Sequence, residues 1–216
     1  MALLGLMGNE SLNKAIGEDG TMNIIIELNG YDDSGCPFNV DFLTGIRLSG
    51  NPGCVNDEGC EYAVSEDSFD GDTCIPVSSV GNAFIWDGDL TAGETGTTTY
   101  MFDAVIVGLH ILIPVLHPRI EAQVQFSGGE PSAVDGVLGG IIRKQDFFHA
   151  FEVIPIEEYP EGVTKAEILE MWNNAYDAGQ FELDFDLDSD TVAESSSLGI
   201  IFTSLPVSVN GTMPPE

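Results

Sequence analysis

Asp184, Asp186, Asp188 and Asp190 stand at alternate positions, and Glu194 follows four residues later. Ionised carboxylates only accept hydrogen bonds, and neighbouring ones raise each other's pKa unless solvent or a cation intervenes. The chemistry such a run can do is coordination of a hard cation. Calcium takes about six to eight oxygen ligands, and a curled loop with a carboxylate at every second position converges them. Asp186, Asp188, Asp190 and Glu194 fall at relative positions 1, 3, 5 and 9 of such a loop, with Asp184 a further candidate ligand. A full EF-hand is excluded, because Thr191 and Ser197 occupy the places of its glycine and its last glutamate. The alternative is a solvated acidic strand end, with Leu183, Phe185 and Leu187 inward and Asp184 and Asp186 outward. Both readings hold if a strand ends near Phe185 and the loop begins at Asp186.

Cys36, Cys54, Cys60 and Cys74 all lie in the first third of the chain. Four cysteines in a loop-rich stretch fit two disulfides in an oxidising compartment, with three pairings open. Cys36 with Cys54 and Cys60 with Cys74 is the preferred pairing, each closing a short β segment. A zinc site would want Cys-x-x-Cys or Cys/His spacing, which is missing. His110 and His117 are seven residues apart, so on one strand they face opposite sides and share no metal without a bend. No nucleophile elbow, zinc-protease motif, phosphate loop or dinucleotide fingerprint occurs, so a non-catalytic protein is expected.

The elements that must hold these residues are read from composition and period. The chain has 216 residues, 43% of them hydrophobic, with 25 glycines and 11 prolines, a profile with enough apolar residues for a core and many turns. It carries 36 acidic against 6 basic residues, a net of −30. A polyanion of this kind is repelled by phosphate backbones and anionic lipid surfaces, so neither nucleic acid nor membrane surface is an expected partner. The longest apolar run, residues 104–116, is too short for a bilayer span of roughly 20 residues. No signal peptide is visible at the start of the chain.

One mainly β domain over residues 1–216 is expected: an antiparallel, jelly-roll-like β-sandwich with two or three short α-helices packed on it. A helical segment is read at residues 1–17 and a helical insertion at 143–179. Strands are expected over residues 22–28, 100–107, 109–116, 119–126, 133–142, 181–185, 198–203 and 207–209. In residues 119–126, Ile120, Ala122, Val124 and Phe126 alternate inward with Arg119, Glu121, Gln123 and Gln125 outward. Thr164 and Glu167 form a capping box before the stripe Ile168, Leu169, Trp172, Ala175 and Tyr176, which is expected to dock on the sheet.

The run from Asp184 to Glu194, followed by Ser197-Leu198-Gly199-Ile200-Ile201-Phe202, resembles the aspartate-rich loop and following strand of uncharacterised bacterial exported proteins and surface lipoproteins. Those loops are similar to thrombospondin type-3 calcium repeats. The stretches from Asp19 to Leu28, Trp86 to Gly93 and Asp135 to Ile142 are similar to other recurring segments of that group. The resemblance implies export and a β-rich fold, and it implies no activity. Glycines usual in such a loop are replaced by Ser189 and Thr191. The function expected is therefore an extracellular or cell-surface, calcium-stabilised structural or adhesion protein, a candidate subunit of a surface assembly. Its expected partners are calcium and either its own copies or a surface polysaccharide. A carbohydrate- or small-ligand-binding jelly roll, with Trp86, Tyr62 or Tyr100 stacking on a sugar, is the alternative.

Overall fold

The protein is described by a computed structural model over residues 23–32, 34–48, 61–93, 99–106, 109–160, 162–179 and 182–214. The described residues are mainly β, with two α-helices among them. The strands are β1 (Ile24–Asn29), β2 (Phe38–Arg47), β3 (Glu61–Ser65), β4 (Ser79–Trp86), β5 (Asp89–Ala92), β6 (Thr99–Ile106), β7 (Leu109–Ser127), β8 (Glu130–Arg143), β9 (Ser195–Ser204) and β10 (Ser208–Met213). The helices are α1 (Lys144–Glu152) and α2 (Lys165–Asp177). The expected helical segment at residues 1–17 lies outside the described residues.

The strands form one hydrogen-bonded path, β10-β3-β2-β4-β5-β7-β8-β9, with β1 added on β2 and β6 on β7. Among the described residues every pairing is antiparallel except β10 with β3, which is parallel and corrects the purely antiparallel expectation. β9 and β10 stand at opposite ends of this path, yet only Leu205, Pro206 and Val207 join them. At most about 3.8 Å separates consecutive Cα atoms, so the two ends of the sheet must curl towards each other. That curl is compatible with the expected sandwich-like layering.

Two strands expected over residues 109–116 and 119–126 are one long strand, β7, with a register shift between Leu116 and Arg119. His117 takes φ 49° at the break, where Pro118 also lacks an N–H for the ladder. Opposite this kink, Gly93 has φ 85°, and a Cβ there would collide with the Pro118 carbonyl oxygen. The alternation that follows holds for Ile120, Ala122 and Val124, which are buried. Phe126 is the correction: it is exposed, because the strand runs out towards the turn at Gly128 and Gly129, and its ring lies 6.3 Å from Tyr31. Asp87 and Gly88, both with positive φ, make the tight turn between β4 and β5 that an Asp-Gly pair favours.

The core lies between the sheet and the two helices. Val40, Val80, Leu90, Ile113, Ile120 and Leu138 meet Phe147, Phe151, Ile168 and Trp172 in one buried cluster. The Phe147 ring sits 5.2 Å from both Phe151 and Trp172 and 6.1 Å from Tyr176, in edge-on geometry. Such pairs add about 0.5–1.5 kcal/mol each beyond area burial. α2 begins as expected: the Thr164 hydroxyl accepts from Glu167 N–H and the Glu167 carboxylate accepts from Thr164 N–H. Among the described residues no helix is long and apolar enough to cross a membrane.

Candidate metal centre

β8 leads directly into α1, and β9 begins beside that junction. Arg143 pairs with Ser195, and Lys144 N–H donates to the Glu194 carbonyl at 3.1 Å. The acidic segment is thereby pinned at its C-terminal end to the rigid join of sheet and helix. Its other end is held by an isolated bridge between Phe185 and Ser195, with Glu194 N–H donating to the Phe185 carbonyl at 3.2 Å. Of the strand expected over residues 181–185, only this bridge forms among the described residues. Phe185 is exposed, not inward, while Leu183 packs against the core. Among the described residues no strand precedes the loop, and the single bridge at Phe185 is followed directly by the loop from Asp186.

Within the loop the carboxylates fold the backbone around themselves. Asp186 accepts from Ser189 N–H and Thr191 N–H, each at 2.7 Å. Asp188 accepts from Asp190 N–H at 3.1 Å, Asp190 from Val192 N–H at 2.8 Å, and Glu194 from Leu187 N–H at 2.8 Å. Ser189 and Thr191 adopt φ 64° and 77°. These are the two positions where glycine is usual in similar loops, so the backbone takes the glycine conformation without the glycine.

Ligand atoms of Asp186, Asp188 and Glu194 lie within 4.8 Å of one another, and the three could hold a metal ion. Asp190 and Asp184 are not gathered with them. Asp184 faces the strand instead, accepting from Ser197 N–H at 2.8 Å and from the Ser197 hydroxyl. The electrostatics separate these roles. The Ser197 hydroxyl, ahead of the other contributions, holds the Asp184 carboxyl below its ordinary value. Desolvation pushes Asp186 up, but the N–H groups of Thr191, Ser189 and Asp190 outweigh it and leave it lowered. Asp188 goes the other way. The Asp190 N–H pulls it down, yet desolvation and the charges of Asp190, Glu194 and Asp186 together raise it. Of these three, Asp188 is thus the one whose charge the fold disfavours, and a nearby cation would relieve it.

Cys36 and Cys74 are free, exposed thiols, and Cys54 and Cys60 lie outside the described residues. His149 is exposed on α1, 3.7 Å from Glu152, as a surface residue. Tyr62 and Tyr100 are buried in the core, which corrects their expected place as exposed stacking residues. Trp86 alone of those three is available, 84% exposed at the end of β4. Sequence reasoning missed Asp41, a buried carboxylate on β2 that accepts from Asn29 and from the Ser79 hydroxyl. Neither partner is near it in sequence, so no spacing signal could have found it.

Searches of family models, curated proteins and solved structures found no match to this chain.

Proposed function

We propose that this chain is a non-catalytic, calcium-stabilised structural or adhesion protein of the cell surface, with residues 186–194 as its cation loop. The observation that carries the reading is the convergence of Asp186, Asp188 and Glu194 on a loop anchored at both ends. Oxygen-only donors from carboxylates suit a hard cation, and calcium tolerates an irregular loop better than magnesium, which demands near-octahedral geometry. Binding would tie the loop to β8, β9 and α1, the elements at one end of the sheet. A net charge of −30 favours a saline or calcium-containing exterior, where self-repulsion is screened.

Thermal melts in chelator and through a calcium titration, with magnesium as control, test this. The expected result is a saturable, calcium-selective rise, roughly 2.7 kcal/mol of added stability at a hundredfold excess over the dissociation constant. The rise should vanish in Asp188→Asn. A melt indifferent to both chelator and calcium would reduce the loop to a solvated acidic turn.

Trp86 supports a second reading, since an indole so exposed at a hairpin end can stack on a sugar face. That reading expects a saccharide that raises the melting temperature of the wild type and not of Trp86→Ala.

A further inference from the structure

The curl of the sheet leaves a cleft of about 930 Å³, with residues 23–28 and β1 on one side and residues 200–207, from β9 into its link to β10, on another. β1 pairs only with β2, and β9 only with β8, among the described residues. Each strand therefore presents an edge of backbone N–H and C=O groups with no strand partner among those residues, the template onto which another strand adds. Between them lie Ile26, Leu28, Phe202, Leu205 and Val207. Ile201 is 85% exposed, and Leu205, Val207 and Val209 are exposed beside it. Apolar side chains gathered this way at an open edge mark an interaction site.

Charge narrows the choice of occupant. In a chain with 42 charged side chains, the 36 acidic and 6 basic residues together, none falls between Ser195 and Pro214. The cleft wall built by β9 and β10 is thus a neutral window in a strongly anionic molecule. The first nine residues, Met1 to Asn9, also carry no charged side chain, and residues 2–7 are Ala-Leu-Leu-Gly-Leu-Met. Six residues in extended form span about 20 Å at roughly 3.3 Å each, the length that the six residues of β1 offer. Residues 8–22 connect this stretch to Asn23, which itself lines the cleft. Fully extended they reach roughly 50 Å, enough to span a neighbouring copy.

We infer that residues 2–7 of one copy, in place of the helix expected over residues 1–17, add as a strand in the cleft between β1 and β9 of a second copy. Two polyanions of the same sign then meet across a lining in which Glu27, on β1, is the one charged side chain among the described residues. Because donor segment and cleft are different surfaces, the contact is head to tail and builds a chain of subunits, not a closed dimer. This deepens the assembly reading above and rests on it, but it does not require the cation.

Sedimentation velocity over a wide protein range tests it, in chelator throughout and at about 0.5 M sodium chloride to screen repulsion. A negative result then leaves the calcium reading standing. The full chain should grow in mass with concentration. Leu205→Glu, an exposed position whose melting temperature should stay near wild type, should weaken association at least about tenfold. A chain lacking residues 1–7 should stay monomeric. Mixed together, these two should give heterodimers and nothing larger, because one keeps the donor and the other the cleft. A synthetic peptide of residues 1–8 should block growth of the full chain. A full chain that is monomeric at every concentration overturns the inference. So does association of Leu205→Glu as strong as that of the wild type, or any self-assembly of the chain lacking residues 1–7.

Discussion

At the scale of single residues, Asp184, Asp186 and Asp188 are shifted in different directions. Asp184 and Asp186 are held below their ordinary value of 3.8, so both contribute stability in full above it and lose it as pH falls through their lowered folded values. Asp188 is raised, so its contribution is present below that value and lost as pH rises through its higher folded value. In chelator at pH 7, Asp188→Asn should therefore raise the melting temperature, although the same substitution abolishes the gain from calcium. Melts of both proteins in chelator, repeated from pH 7 down to about pH 3, read this directly. The advantage of the Asp188→Asn variant should shrink as Asp188 of the wild type protonates. A variant that is less stable than wild type in chelator at pH 7 would show that Asp188 acts through its hydrogen bond with Asp190, not through repulsion. The spacing of the acidic residues was enough to locate this loop. It could not separate Asp184 and Asp190 from the three that converge, because convergence depends on the curl of the folded backbone, and Asp184 is held instead by Ser197, 13 residues on.

At the scale of elements, α1 does more than cover the sheet. It follows β8 without a break, receives α2 through the Phe147 ring, and fixes the Glu194 carbonyl through Lys144 N–H. Phe147→Ala should cost about 3–5 kcal/mol, as removal of a fully buried aromatic ring does, seen as a lower denaturant midpoint with an unchanged slope. A changed slope would instead mean that the helices detach from the sheet before it unfolds. Both helices were legible in advance, since Thr164 with Glu167 and the stripe through Trp172 are local signals. The strands were legible as alternating runs, and their pairing was not. The fusion of two expected strands into β7 turns on His117 accepting a left-handed conformation, and the parallel seating of β10 on β3 joins residues far apart in the chain. Neither fact has a local signature.

At the scale of the whole molecule, charge and topology act together. With a net of −30, stability in chelator should rise with sodium chloride, most steeply at low ionic strength where the screening length is longest. A melting temperature independent of salt would show that the acidic residues lie too far apart to oppose folding. Topology bears on the order of events. β10 finds its place beside β3 only after the intervening strands have carried the chain around the curl, and all six of its residues are exposed. Pairings between such distant segments close late in folding, since the loop entropy must be overcome before they form. Amide hydrogens of β10 should consequently exchange with solvent faster than those of β7 and β8, and opening should begin there. The seam at the end of the chain is the latch of the fold: it shuts last, opens first, and its release would free the wall of the cleft without unravelling the sheet that bears it.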